Sequence, residues 1–215
     1  MINLIWDLDG TLVDSQKEIL NTLELAFLDS SLNISQTINP IRIGPPLDVM
    51  IKKSFPEEII TDEKLSEILS HFRRRYNSGG FKMTCAFPGI DLIIRDTDKF
   101  AHHIVTNKPH ETSVQLIKKL GWQRSISSLK APLLNKTSKK TKTQYFSEII
   151  GEYGNDNSVF IGIGDMITDC TAARENNIVS AGVLWGSGTR EELSRCCDYL
   201  FDNVKKLNNF LGNFS

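Results

Sequence analysis

Short apolar runs that alternate with amphipathic segments restrict the fold of this chain more than any other feature. Four runs have the length of buried strands, and they lie at residues 2–6, 102–106, 158–163 and 179–184. Helical periodicity fills the intervals between the last three runs. Strands of this kind, separated by helices, form a parallel sheet that helices cover on both faces. The sequence therefore predicts an α/β fold.

The interval between the first and second runs has a different character. Residues 16–80 contain no convincing strand, and their apolar side chains recur at helical spacing. Ser15 and Glu18 have the spacing of a capping box and predict the start of the first helix there. We expect a small helical cap domain over residues 16–80, inserted into an α/β core domain formed by residues 1–15 and 81–215.

Composition excludes several classes of partner. The 215 residues include 25 basic and 26 acidic side chains, for a net charge of -1, so no overall field favours nucleic acid or a membrane surface. No apolar stretch is long enough to span a bilayer. Four scattered cysteines are expected to be reduced thiols. These features predict a cytoplasmic protein, a monomer or weak dimer, with no nucleic acid or membrane partner.

Polar residues follow the ends of three predicted strands. In open α/β sheets, ligands bind outside the carboxyl ends of the strands. The residues at those ends are Asp7, Asp9, Thr106, Asn107, Asp165 and, one helical turn later, Asp169. Clusters of oxygen ligands suit a hard cation, and Mg²⁺, which shares phosphate oxygens, fits best. A phosphate dianion beside Mg²⁺ would also need neutral and positive partners, which Thr106, Asn107 and a lysine could supply.

Four segments resemble, in order, the motifs of the haloacid dehalogenase superfamily. They are DLDGTLVDS (7–15), IVTNKP (104–109), a lysine before a helix, and GIGDMITD (162–169). Three further segments are similar to the phosphoglycolate-phosphatase-like branch: IGPPL (43–47), FPGI (87–90) and GVLWGSGTREEL (182–193). The resemblance implies a Rossmann-like core with the inserted cap. It also implies a magnesium-dependent phosphatase that acts on a small phosphorylated metabolite through an aspartyl-phosphate intermediate.

The resemblance assigns catalytic roles to the first motif. Asp7 would be the nucleophile that attacks phosphorus. Asp9 would protonate the leaving oxygen and later activate water, while its backbone carbonyl contacts the metal. Dehalogenases of the superfamily lack an acid at the position of Asp9, so its presence favours phosphatase chemistry. We interpret Gly10 and Thr11 as residues that shape the turn after the strand.

The other motifs would supply binding groups. Thr106 and Asn107 would hydrogen-bond the phosphoryl oxygens, and Asp165 would bind Mg²⁺ directly. Asp169 would support the metal from outside its first ligand sphere or bind it through water. Lys108 has two interpretations, a substrate contact or a solvated loop residue.

In the branch that this chain resembles, the catalytic lysine is usually followed by proline, but no Lys-Pro pair occurs between residues 110 and 165. The candidates are Lys136, Lys139, Lys140 and Lys142. Thr141 and Gln144 have the spacing of a capping box, which places Lys142 in the first turn of a helix that leads to the strand before Asp165. We therefore expect Lys142 to neutralise Asp7 and the phosphate.

One residue of the predicted cap is a candidate for specificity. The planar guanidinium of Arg42 suits a second carboxylate or phosphate on the substrate, although a surface arginine is the alternative interpretation.

Three other functions remain open at this stage. They are a phosphomutase of the β-phosphoglucomutase type, a 5′-nucleotidase or pyrophosphatase of the same fold, and a catalytically idle binding module. Intact acids at Asp7, Asp9 and Asp165 argue against the last of these.

Overall fold

The computed structural model describes residues 1–32, 44–55, 59–133 and 140–213. The chain divides into a sheet unit (Met1–Asp14 and Ala86–Ser215) and a helical unit (Ser15–Cys85). The strands of the described residues are β1 (Ile2–Trp6), β2 (Val13–Asp14), β3 (Cys85–Ala86), β4 (Phe100–Val105), β5 (Ile126–Lys130), β6 (Val159–Gly164), β7 (Val179–Val183) and β8 (Tyr199–Phe201). Six of them form one sheet in the order β5-β4-β1-β6-β7-β8, and β2 pairs with β3.

The position of β1 determines where the polar residues of the sheet unit meet. All pairings of the six-stranded sheet are parallel, and β1 lies between β4 and β6. Trp6 is opposite Ile104 on one side and Ile163 on the other. Because parallel strands end at the same edge of a sheet, the residues that follow β1, β4 and β6 lie close together.

Helices complete the α/β architecture. They are α1 (Gln16–Asp29), α2 (Leu47–Ser54), α3 (Asp62–Arg75), α4 (Ile90–Ile94), α5 (His110–Lys119), α6 (Lys142–Tyr153), α7 (Ile167–Glu175), α8 (Arg190–Ser194) and α9 (Val204–Gly212). In the sheet unit, Phe146 and Ile149 of α6 pack with Ile5 of β1 and Val105 of β4. The α/β fold class predicted from the sequence is confirmed, and the four predicted strands correspond to β1, β4, β6 and β7.

Two strands of the sheet were not predicted. β5 and β8 lie at its two edges, where one side of each strand has no neighbouring strand among the described residues. In β5, Ser127 is exposed and the other four residues are only partly buried. β8 is only three residues long. Edge strands therefore lack the continuous apolar run by which central strands are predicted.

The helical unit has its own apolar core. Helices α1, α2 and α3 contribute buried side chains that include Leu23, Phe27, Ile51 and Ile68. A wider π-helical segment, Tyr76–Gly80, follows α3 and contains Gly79 at a φ of 113°. Backbone at positive φ favours glycine, which accounts for Gly79 where the helical pattern of the sequence ends.

One of the two predicted capping boxes is wrong. Ser15 is the N-cap of α1, but its side chain makes no capping hydrogen bond there. The carboxylate of Glu18 instead accepts hydrogen bonds from the backbone N–H groups of Met83 and Thr84 and from the Thr84 hydroxyl. Glu18 thus satisfies two backbone donors of a distant segment. The capping box at the start of α6, formed by Thr141 and Gln144, is confirmed.

The prediction of four reduced cysteines is also wrong. Cys170 and Cys196 form a disulfide, with their Cα atoms 5.9 Å apart, whereas Cys85 and Cys197 are free. The two paired residues are 26 positions apart in the sequence, and only the packing of the chain brings them together. The cysteines therefore give no support to a cytoplasmic location. No helix in the described part of the chain is both long and apolar enough to cross a membrane.

Two adjacent histidines of β4 are fully buried. Trp6 Nε1 donates a hydrogen bond to His102 Nδ1 at 3.2 Å, and His103 lies between Ser128 Oγ at 2.9 Å and Asn3 Oδ1 at 3.1 Å. Burial lowers the pKa of His102 and the pKa of His103 to about 4 each. Both side chains are thus neutral parts of the sheet at neutral pH.

Mild acid is expected to destabilise the fold through these histidines. An unfolded histidine has a pKa of about 6.5, so between pH 6.5 and pH 4 the unfolded chain binds more protons than the folded one. The contribution of these two neutral histidines to the free energy of unfolding is complete above about pH 6.5 and is lost as the pH falls toward 4. We expect a loss of about 2 kcal/mol per histidine between pH 7 and pH 5, measurable by urea unfolding.

The matched variant for this measurement is His102→Gln. Its amide oxygen can accept the Trp6 hydrogen bond, but the side chain does not titrate. Between pH 7 and pH 5, the wild type should lose about 2 kcal/mol more unfolding free energy than this variant, because all other titrating groups are common to both proteins. An unchanged slope between pH 7 and pH 5 in His102→Gln would contradict the assignment.

Candidate active site

The candidate site begins where β1 ends. Asp7 follows Trp6, and its backbone N–H donates to the carbonyl of Ile163 at 2.9 Å, so the strand pairing extends into the site. Asp7 is 5% exposed. Burial of a carboxylate this far from water is unfavourable unless cations or hydrogen-bond donors compensate its charge. The neighbours of Asp7 therefore decide its chemistry.

The turn after Asp7 is shaped by a required glycine. Gly10 has a φ of 83°, and a Cβ at this position would lie 2.4 Å from Oδ2 of Asp165. Both the backbone conformation and the close approach exclude larger side chains. Thr11 then donates its hydroxyl to Oδ1 of Asp165 at 3.1 Å. The turn thus joins the end of β1 to the residue that follows β6.

Lys142 provides the positive charge beside Asp7. Its Nζ lies 3.1 Å from Oδ2 of Asp7 and 2.5 Å from Oδ1 of Asp169, and the three side chains are almost fully buried. Burial alone would lower the pKa of Lys142, but Asp169 and Asp7 outweigh this effect and raise it above the ordinary value. Of the other candidates, Lys140 is exposed and paired with Glu148. Lys136 and Lys139 lie outside the described residues.

Asp165 directly follows β6, and Asp169 lies in the first turn of α7. Asp165 accepts a hydrogen bond from the backbone N–H of Ser187 at 2.7 Å, in addition to that from Thr11. Asp169 accepts one from the N–H of Met166 at 3.1 Å. These donors fix both carboxylates. The sequence did not reveal the contacts of Thr11 and Ser187, although Thr11 lies within the first motif.

Three of the predicted metal-binding acids form a cluster. Each of Asp7, Asp165 and Asp169 offers a carboxylate oxygen within 4.8 Å of the others. Burial, reinforced by Asp7, raises the pKa of Asp165 to about 6. Burial is also the main cause that raises the pKa of Asp7 and of Asp169, although Lys142 opposes it. Lys142 therefore offsets only part of the cost of burying these carboxylates in their ionised form.

This cluster fits Mg²⁺ on two grounds. Its ligands are carboxylate oxygens only, the type that Mg²⁺ prefers. Three ionised carboxylates with one ammonium leave a net negative charge, which a divalent cation would neutralise and so favour the ionised form of each acid. The carboxylate of Asp9 does not belong to this cluster within the described residues, which leaves its backbone carbonyl as the predicted metal contact.

The predicted phosphate-binding residues lie after β4. Thr106 is buried, and its hydroxyl accepts a hydrogen bond from the backbone N–H of Lys108 at 3.1 Å. Asn107 is partly exposed. Lys108, for which the sequence left two interpretations, is buried and forms an ion pair with Asp9. The prediction for Arg42 lies outside the described residues.

Comparisons with known proteins identify the family to which the chain is similar. Residues 4–183 match the model of a family described as haloacid dehalogenase-like hydrolase. A phosphoglycolate phosphatase of Agrobacterium fabrum is 27% identical over 191 residues, which are 85% of this chain and 80% of that protein. A 5′-nucleotidase of Pseudomonas aeruginosa is 23% identical over 194 residues, 89% of this chain and 86% of that protein.

The solved structures give the same architecture. A haloacid dehalogenase-like family hydrolase from Streptococcus pneumoniae aligns with a TM-score of 0.81 at 22% identity, over 97% of both chains. The family match spans the chain from β1 to the end of β7, and so includes every acid of the candidate site. The chain therefore belongs to the haloacid dehalogenase-like hydrolases.

Proposed function

We propose that the protein is a magnesium-dependent phosphatase that hydrolyses a small phosphate monoester through an aspartyl-phosphate. The observation that carries this proposal is the buried arrangement of Asp7 with Lys142, Asp165 and Asp169 at the carboxyl edge of the sheet. Hydrolysis of phosphate esters is the activity that the family match and the named phosphatase relatives support.

In the first step, a carboxylate oxygen of Asp7 attacks phosphorus. An Asp7–phosphorus bond forms, the bond from phosphorus to the ester oxygen breaks, and that oxygen takes a proton from Asp9. The products of this step are the free alcohol, an aspartyl-phosphate and ionised Asp9. Thr106 and Asn107, which follow β4, would donate hydrogen bonds to the phosphoryl oxygens.

In the second step, water attacks the phosphorus of the aspartyl-phosphate. Asp9 removes a proton from this water, the bond to Asp7 breaks, and inorganic phosphate leaves. Both carboxylates return to their starting states, with Asp9 protonated again. The positive charge of Lys142 compensates the negative charge of Asp7 and of the phosphoryl group in both steps.

Asp7, Asp165 and the backbone carbonyl of Asp9 would hold Mg²⁺, supported by Asp169. When bound, Mg²⁺ supplies electrostatic stabilisation of the phosphoryl oxygens. The chain itself fixes the carboxylate of Asp165 through the Thr11 hydroxyl and the Ser187 N–H, and that of Asp169 through the Met166 N–H.

The nucleophile is tested by Asp7→Asn. An amide is a poor nucleophile and carries no charge, so we expect phosphate release from p-nitrophenyl phosphate to fall to the background rate. Asp9→Asn should retain the nucleophile but release phosphate about 10²-fold or more slowly, because no general base would then activate the water of the second step.

The matched control is Asp202→Asn, because Asp202 is an exposed acid that pairs with Arg190 and Lys206. Its activity should stay near that of the wild type. Near-normal turnover by Asp7→Asn would refute the proposed mechanism, and formation of an isomer of a sugar phosphate without phosphate release would indicate a mutase.

The metal requirement is tested by chelation. Removal of divalent cations should abolish phosphate release, and added Mg²⁺ should restore it. Zn²⁺ should substitute poorly, because the acids of the cluster offer oxygen and neither thiolate nor imidazole. Asp165→Asn should raise the Mg²⁺ concentration needed for half-maximal activity. Full activity in metal-stripped protein would contradict the assignment of Asp165.

The choice of lysine is tested by Lys142→Met against Lys140→Met. The first variant leaves Asp7 and Asp169 without their ammonium, and we expect a loss of turnover of about 10²-fold or more. The second changes an exposed lysine paired with Glu148 and should be nearly silent. Circular dichroism and thermal melting of both variants separate misfolding from catalytic loss. Comparable activity of the two variants would overturn the assignment.

A further inference from the structure

A second buried lysine of the site pairs with Asp9. Lys108 Nζ donates to Oδ1 and to Oδ2 of Asp9, both at 2.9 Å. The lysine side chain is 4% exposed and that of Asp9 is 14% exposed. The acid is thus the more accessible member of the pair, and the ammonium is enclosed by protein.

The backbone around Lys108 is held on both sides. Its N–H donates to the hydroxyl of Thr106, and its carbonyl accepts from the hydroxyl of Ser113 at 3.4 Å. Ser113 also donates to the carbonyl of Pro109, the N-cap of α5. The lysine is therefore anchored between the end of β4 and the start of a helix. A buried side chain anchored in this way presents its ammonium at a defined position.

An ammonium that contacts both oxygens restricts the rotation of a carboxylate. A carboxylate has about four lone-pair positions, and the two contacts with Lys108 use one on each oxygen. The pair is thus compatible with proton transfer by the same group. Lys142 has a separate task, because its ammonium contacts Asp7 and Asp169.

We infer that Lys108 is a positioning residue that orients Asp9 toward the leaving oxygen of the substrate. The inference rests on the proposed function, in which Asp9 is the general acid and base. Lys108 thereby determines how efficiently the ester oxygen receives its proton, and it does so without acting on the nucleophile.

Two substrates whose leaving groups differ in their need for a proton can distinguish this positioning role from a purely structural one. p-Nitrophenolate departs without a proton, whereas phenolate is a much stronger base and needs protonation as the ester bond breaks. p-Nitrophenyl phosphate and phenyl phosphate have similar shapes and the same phosphoryl group. The quantity to measure is kcat/KM for both esters, because it covers the chemistry up to aspartyl-phosphate formation and excludes the later attack by water.

We expect Lys108→Met to lower kcat/KM for phenyl phosphate at least about tenfold more than for p-nitrophenyl phosphate. Lys108→Arg, which retains a cation with two parallel donors, should restore most of this ratio. Lys140→Met, at an exposed lysine, should leave the ratio unchanged. Asp9→Asn should show the same preferential loss, and adding Lys108→Met to it should change the ratio no further.

Equal losses for the two esters would overturn the inference, because they would indicate an effect on folding or on phosphoryl binding. A further change of the ratio in the Asp9→Asn background would also overturn it, since Lys108 would then act independently of Asp9. These results are distinct from failure of the proposed function, in which wild-type protein releases no phosphate from either ester or Asp7→Asn remains active.

Discussion

Like-charged carboxylates buried at one edge of a sheet are the constraint around which this structure is arranged. Asp7, Asp165 and Asp169 have oxygens within 4.8 Å of one another, and burial raises their pKa values. Such a cluster costs folding free energy unless cations and hydrogen-bond donors oppose it. Lys142 provides one cation, and backbone N–H groups provide donors. The remaining negative charge is the property that makes the site suitable for a divalent cation.

Two buried lysines pair with different acids of the site. Lys142, at the start of α6, contacts Asp7 and Asp169, whereas Lys108, between β4 and α5, contacts Asp9. Local contacts fix the backbone at each lysine. Lys142 follows the capping box at the start of α6, and the N–H of Lys108 donates to the Thr106 hydroxyl after β4. In the mechanism proposed above, this separation lets the nucleophile and the proton-transferring acid be oriented independently.

The relatives of this chain have names that refer to different substrates. A phosphoglycolate phosphatase and a 5′-nucleotidase align over most of the chain. In the proposed mechanism, the residues of the candidate site act on the phosphoryl group and on the ester oxygen, which every phosphate monoester contains. Their arrangement therefore supports a reaction type more directly than a particular leaving group. Turnover of a panel of phosphorylated metabolites is the direct way to identify the physiological substrate.

The sequence by itself determined the central strands, the acids at their ends and the position of Lys142. These features depend on neighbours within one turn or one strand, such as the capping box of Thr141 and Gln144, so local patterns reveal them. Only the tertiary structure decided that Lys108 pairs with Asp9 and that Glu18 binds the backbone of Thr84 and not the start of its own helix. These partners are 99 and 66 residues apart, and their contacts arise from chain packing that no local pattern encodes.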